Sequence, residues 1–394
     1  MMSDNMVFWD DMWNPIDDED HSNDVVLNQM VNELMDEGGV LFAHGFGPMR
    51  KRYHVRELEA AFRDKLGAND ALCVSSGTAA IKVALKSLGV TYGDEVITQC
   101  FNFIATVEAI VDCGATPVIA GSDETLNMDP TQLEGLITKK TKAIMPVHML
   151  GVPARMNEIK AIAKKYKLPV IEDACEAVGA KYNGQYAGTL GDAGVFSFDF
   201  GKTITTGEGG LVILQNAEMA EKSRWYHDHG HMNLEGRPRG LDRAGITGFN
   251  YRMSELNAVV GKAQLAKLDY ILEESEKRFK ILCDGVTVPA FKKRAIPAEA
   301  EPAFDTVIFE VKDKNLRDSA ITLLSDMGFG TKNLPDAMNW HCSVFWDHMG
   351  FDTRTPAAME TLALLERQIA IPIVLGRSVE DYAALADALN ALAD

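Results

Sequence analysis

Val195-Phe196-Ser197-Phe198-Asp199-Phe200-Gly201-Lys202-Thr203-Ile204-Thr205-Thr206-Gly207-Glu208-Gly209-Gly210 carries more structural information than any other segment of the chain. A strand-like apolar run delivers Ser197 and then Lys202 to a turn rich in glycine. A lone lysine beside a turn is an ordinary surface residue. A lysine delivered this way suits a Schiff base with a phosphorylated aldehyde. The amine makes the covalent bond, the serine hydroxyl helps hold the phosphate, and the glycines let the backbone approach. Such an amine must be partly neutral, so burial and nearby cationic character are expected to lower its pKa.

Outward from this stretch, short apolar runs predict strands over 71–74, 95–98, 117–120, 143–147, 169–173, 194–198 and 211–214. Helical spacing over 78–88, 105–111 and 156–166 alternates with them. That alternation predicts an α/β fold with a mostly parallel sheet covered on both faces, and ligands at the carboxyl ends of its strands. Amphipathic helices are predicted over 25–37, closed by Gly38-Gly39, and over 54–66. Beyond residue 253 the pattern changes to a long helix over 254–280, a strand at 306–311, and helices over 316–327 and 379–392. The expected organisation is an acidic, aromatic arm over 1–24, a large domain over 25–265, and a small α+β domain over 266–394.

Three other predicted strand ends carry chemistry. Ser75-Ser76-Gly77-Thr78 opens a helix, where N–H groups and hydroxyls can cradle a phosphate, although serine and threonine are also common N-caps. Phe103 follows the second strand, placed either to stack on a flat ring or to pack in the core. Asp173 ends Val170-Ile171-Glu172-Asp173. It can pair with a protonated ring nitrogen and keep that ring an electron sink, or cap the segment from Ala174. In chain order, the phosphate loop, aromatic, aspartate and Ser-x4-Lys together fit one job, the binding of a phosphorylated aldehyde cofactor.

Composition narrows the remaining classes. The 394 residues carry a net charge of -18, which disfavours nucleic acid and anionic membranes as partners. Arg50-Lys51-Arg52 and Lys292-Lys293-Arg294 are short basic clusters, expected to be local surface. The 6 cysteines form no CxxC pair, as expected of a reduced, cytoplasmic protein. Neither a signal peptide nor a bilayer-length apolar run is expected. His227, His229 and His231 alternate, but no acidic ligand set at metal spacing accompanies them, and no metal is expected.

With these motifs assembled, the chain resembles the DegT/StrS family of pyridoxal-phosphate-dependent sugar aminotransferases over roughly residues 57–268. Gly93-Asp94-Glu95-Val96-Ile97, Val147-His148-Met149-Leu150-Gly151, Gly188-Thr189-Leu190-Gly191-Asp192 and Gly248-Phe249-Asn250-Tyr251-Arg252-Met253-Ser254-Glu255 extend the likeness. The resemblance implies the type I aspartate-aminotransferase-like fold and a homodimer with shared active sites. It implies Lys202 as the Schiff-base lysine, Asp173 as partner of the ring nitrogen and Phe103 as the stacking aromatic. Ser76, Gly77, Thr78 and Ser197 become phosphate contacts, joined by Asn250 from the neighbouring subunit. His148 and Arg252 are implied as substrate or donor-carboxylate contacts.

The chain departs from the family pattern at three positions. Glu176 stands where Gln or His is usual near the cofactor's ring hydroxyl, and Asp199-Phe200 replaces His-Pro. A narrower likeness joins Ser197-Phe198-Asp199, Asp228-His229-Gly230-His231 and Asn339-Trp340-His341 to the branch that aminates an octulosonate, an eight-carbon acidic sugar of lipopolysaccharide. On that likeness His229, His231, Trp340 and His341, with Arg237, Arg239 and Arg243, are expected to meet an anionic hydroxylated substrate. The expected activity is amino transfer, with L-glutamate as donor, to a keto- or aldehydo-sugar. Alternatives are a cyclitol or nucleotide-sugar aminotransferase, or a cofactor-binding sensor without turnover. A dehydratase on this fold replaces the lysine with histidine, and no GxGxxG opens a helix after an early strand as a nicotinamide enzyme requires.

Overall fold

The fold was obtained as a computed structural model that describes residues 52–234, 237–238 and 241–393, with 28–29, 31–32 and 34–35 before them. The expected arm over 1–24 and Arg239 lie outside the described residues, and the described part of 25–37 is helical. Helix α1 (His54–Leu66) buries Val55, Leu58, Phe62 and Leu66 along one face. It stops at Gly67, whose φ of 67° satisfies the left-handed turn that closes a helix.

Next come β1 (Asp70–Val74), α2 (Gly77–Ser87), β2 (Glu95–Gln99), α3 (Ile104–Asp112), β3 (Thr116–Ala120) and β4 (Thr141–Ile144). They are followed by α4 (Met156–Tyr166), β5 (Ile171–Asp173), the hairpin β6 (Lys181–Tyr182) and β7 (Gln185–Tyr186), β8 (Ala193–Ser197), β9 (Gly210–Leu214) and α5 (Ala217–Tyr226). Two ladders, β1-β9-β8-β5 and β3-β2-β4, are linked by parallel bridges Ile144↔Val170 and Val147↔Asp173. Strand β9 runs antiparallel to both its neighbours, and the other pairings are parallel. The carboxyl ends of β1, β2, β4, β5 and β8 therefore share one edge.

The local reasons are legible in the residues. Strands β8 and β9 are buried at every position, which fits their unbroken apolar runs. Pro117 is tolerated because β3 lies at the edge of its ladder.

Helix α6 (Glu255–Gly285) runs through the expected boundary at 265/266. Its Ala258, Leu265 and Leu268 pack in the large core, whereas Leu282 packs in the small one. The small sheet, β10 (Phe291–Lys293), β12 (Thr306–Val311) and β13 (Gln368–Pro372), is antiparallel with β12 central. Strand β11 (Ala300–Glu301) returns to pair with β6. Helices α7 (Lys314–Asp326) and α9 (Val379–Ala393) cover the small core. Between them, a segment containing α8 (Pro356–Leu365) sends Leu334, Cys342, Val344 and Trp346 into a shared core with Phe101, Ile104 and Leu150. That shared core brings residues 332–341 over the strand ends of the large sheet.

Candidate active site

A cavity of about 380 Å³ opens at the carboxyl edge of the sheet. Each strand end supplies part of it: Ser76, Gly77 and Thr78 after β1, Phe103 after β2, Asp173 and Glu176 from β5 onward, and Ser197 and Lys202 from β8 onward. Residues far apart in sequence thus meet because parallel strands end together.

The cup after β1 is built by close approach. A Cβ on Gly77 would lie 2.7 Å from Ser197 Cβ, and one on Gly210 would lie 2.3 Å from the Ser76 carbonyl oxygen. Ser76 also caps α2, its Oγ accepting from Ala79 N at 3.1 Å, so the capping alternative holds for that hydroxyl. Thr78 is exposed beside it. The first N–H groups of α2 are those a helix leaves without intrahelical partners, a setting that favours an anion.

Asp173 is buried at the end of β5. Its Oδ2 accepts from Thr106 Oγ1 at 2.8 Å and its Oδ1 from Cys175 N at 3.2 Å. Capping and cavity lining therefore coexist in one side chain. Phe103 is 43% exposed, with its ring 5.3 Å from that of His341, so its face is left to the cavity and not to the core. His341 donates from Nδ1 to Ala337 O at 2.8 Å, and burial pushes its pKa down.

The charge arrangement corrects one expectation. Lys202 Nζ lies 3.5 Å from Glu176 Oε1. Burial pushes the ammonium's pKa down, but Glu176, with Cys175, Asp199 and Asp173 behind it, outweighs burial and raises it. The lysine is therefore held charged in the cofactor-free protein, not partly neutral. Glu176 is the reciprocal case. Burial pushes it up, yet Lys202, Lys332 and His341 pull it down to about 2. Its Oε2 accepts from Leu150 N at 3.0 Å and its Oε1 from Asn333 Nδ2 at 3.2 Å.

Other expected contacts lie elsewhere. His148 is fully buried, Nδ1 accepting from Ala154 N and Nε2 donating to Glu172, each at 3.0 Å. Glu172 in turn receives Gly188, Leu190 and Gly191 N–H groups, so His148 braces the 188–191 turn and does not reach the cavity. Arg252 pairs with buried Asp228, also outside the lining. His229 is exposed, His231 sits 3.8 Å from Asp242, and Trp340 is 58% exposed; none of the three lines this cavity. Asn250 is exposed on the same segment as Arg252. Sequence reasoning missed Thr106, Glu208, Lys332 and Asn333, all of which line the cavity. The only local signal for the last two was a turn-prone Asn333 ahead of Leu334-Pro335.

The DegT/DnrJ/EryC1/StrS aminotransferase family matches residues 42–390. The chain belongs to that family. It is similar to GDP-perosamine synthase of Caulobacter vibrioides, 43% identical over 56% of this chain and 58% of the relative. It is also similar to GDP-perosamine synthase of Escherichia coli O157:H7, at 39% identity over 61% of this chain and 63% of the relative. The matched stretch thus spans about three fifths of these curated relatives. Among solved structures, 3-amino-5-hydroxybenzoic acid synthase superposes with a TM-score of 0.82, 26% identity, and coverage of 96% and 97% of the two chains. The fold is accordingly the type I fold of pyridoxal-phosphate enzymes. Aminotransferases of this family depend on pyridoxal 5'-phosphate, and the residues present fit that group. A glycine-floored anion cup, an open aromatic face, a buried carboxylate and a lysine amine converge on one cavity.

Proposed function

We propose that this chain is a pyridoxal-phosphate-dependent aminotransferase that moves an amino group from an amino acid, with L-glutamate as donor, to a keto- or aldehydo-sugar. The observation that carries the reading is the convergence of Lys202, Asp173, Phe103 and the Ser76–Thr78 cup on a single cavity. When bound, pyridoxal phosphate supplies an aldehyde for the amine and a ring that takes up an electron pair.

The chain's own residues do the rest. Ser76, Gly77, Thr78 and Ser197 would hold the phosphate, Phe103 would face the ring, Glu176 would sit by its hydroxyl, and Asp173 would hold the proton on its nitrogen. Lys202 would anchor the group, and its released amine would take the proton from the substrate's α-carbon and return it, as base and then acid. Glu176, with Cys175, Asp199 and Asp173 behind it, holds the Lys202 amine protonated beforehand, so the amine must give up a proton before it can attack an aldehyde. Asn250 would reach the cup of a second copy in a homodimer. The exposure of Leu241 at 72% and Phe249 at 48% on its segment supports a partner there.

The branch likeness favours an eight-carbon octulosonate as acceptor, for lipopolysaccharide or another surface polysaccharide. The GDP-perosamine synthases among the relatives favour a nucleotide-linked keto-sugar as the second reading. Lys202→Ala should lose the yellow absorbance of lysine-bound cofactor and at least about 10⁴-fold of turnover. A variant that kept both would end the reading. Release of 2-oxoglutarate on mixing the loaded protein with glutamate separates an aminotransferase from a sensor.

A further inference from the structure

Among the described residues, two lysines line the cavity, and the proposed amino transfer uses only Lys202. The second, Lys332, comes from the segment between α7 and β13 that the small domain lays over the strand ends. Its backbone N donates to Ala370 O at 2.9 Å, which ties it to β13. Its Nζ lies 2.7 Å from Oδ2 of Asp305, the residue before β12, and the two side chains are 11% and 12% exposed. An ammonium has three donors, and Asp305 accounts for one.

The rest of the lining makes this cation necessary. Asp173, Glu176, Asp199 and Glu208 all face the same cavity. A substrate carboxylate entering among four acids is repelled unless a cation meets it. Lys202 is committed to the cofactor. His341 has its pKa lowered by burial. Among the described lining residues, Lys332 is then the remaining cation. Its charge already acts inside the cavity, where it helps hold Glu176 ionised.

We infer that Lys332 is the residue by which this cavity recognises the carboxylate of a substrate, and hence sets its preference for acids over neutral amines and sugars. The inference rests on the aminotransferase reading. Two substrates can present that chemistry, the amino-acid donor and an acidic keto-sugar acceptor, and Asp305 acts as the positioning residue that keeps Nζ extended.

The test uses the full chain loaded with pyridoxal phosphate, with Lys332→Gln and Lys332→Arg compared to the unaltered protein. Cofactor absorbance and affinity should persist in both. In K332Q the half-saturating concentration should rise about ten- to hundredfold for carboxylate substrates, with the limiting rate held within about threefold. Lys332→Arg should recover most of that loss. A rise for glutamate in the first half-reaction assigns the contact to the donor. A rise confined to acidic keto-sugars in the second assigns it to the acceptor. Unchanged half-saturation for every acid overturns the inference, as does an equal rise for acids and neutral keto-sugars. A K332Q protein that cannot hold the cofactor also overturns it, since the lysine is then structural. Failure of the underlying reading looks different: the unaltered protein itself would take up no cofactor or leave glutamate untouched.

Discussion

The two walls of the cavity are built by different physics. The strand-end wall, from Ser76 to Lys202, is fixed by backbone contact. Gly77 sits against Ser197 and Gly210 against the Ser76 carbonyl, at distances that exclude even a methyl group. The opposite wall, 332–341, is seated by the apolar packing of Leu334 and its neighbours, and its polar side chains reach the cavity through individual hydrogen bonds: Lys332 N to Ala370 O at 2.9 Å, Asn102 N to His341 O at 3.1 Å, and Asn333 Nδ2 to Glu176 Oε1 at 3.2 Å. Altering a polar side chain on the second wall disturbs one or two bonds, whereas altering a glycine of the first moves a helix against a sheet. Chemistry common to many substrates is therefore best placed on the first wall, and choice among substrates on the second.

This division of labour is most exposed to refutation at the floor of the first wall. Asp173→Asn keeps the size of the side chain and its bond from Cys175 N, but removes the charge that would hold a proton on the cofactor's ring. Turnover should fall about 10²- to 10⁴-fold while the cofactor still attaches to Lys202. A loss under about tenfold would show that ring protonation does not depend on this carboxylate. A smaller effect is expected at the cup. Gly77→Ala places a methyl 2.7 Å from Ser197 Cβ and 3.3 Å from Cys175 Sγ. Ser197 Cβ is fixed to its own backbone and cannot swing aside, so the start of α2 must shift. Overpacking of this kind costs about 2–3 kcal/mol, which should appear as cofactor affinity weakened some thirty- to hundredfold. Unchanged affinity in a fluorescence titration would mean that the cup is softer than its contacts imply.

The same contrast explains what the sequence could and could not disclose. The first wall is local: Ser76, Gly77, Asp173, Ser197 and Lys202 each sit within a few residues of a strand recognisable by its apolar run, and parallel strands end together. The second wall has no such frame. Lys332 and Asn333 reach the cavity because Leu334, Cys342 and Trp346 pack with Phe101 and Leu150, contacts spanning well over a hundred residues of chain. β13 went unseen because its run, Gln368-Ile369-Ala370-Ile371-Pro372, begins on a polar residue and ends in a proline, which breaks the apolar signal that marked β8 and β9. His148 shows the limit from the other side. Its motif sits at a strand end, but only the fold shows its ring turned back onto Glu172. Lys202 shows a limit of charge: the acids that raise its pKa are gathered from β5 and β8, and only Asp199 is its near neighbour in sequence.

Glu176 joins the two walls, and the smallest expected effect belongs there. Its folded pKa of about 2 lies below the ordinary 4.5. For a carboxyl group with a lowered folded pKa, the unfolded chain binds more protons between those values, so stability rises with pH across that window. The contribution is present above about pH 4.5 and is lost as pH falls toward 2. In cofactor-free protein, urea unfolding from pH 6 to 3 should show this loss, worth up to about 2 kcal/mol. Glu176→Gln should flatten that slope while retaining an oxygen to accept from Leu150 or Asn333. If the variant and the unaltered protein lose stability in parallel, Glu176 does not bind the walls through its charge. The second wall would then be held by its apolar packing and backbone bonds. Lys332→Gln in the same titration separates the sources of the effect, because it removes one of the cations that hold Glu176 ionised and leaves Lys202 in place. A slope reduced in K332Q but not abolished is expected, since Lys202 attracts that carboxylate more strongly than Lys332 does.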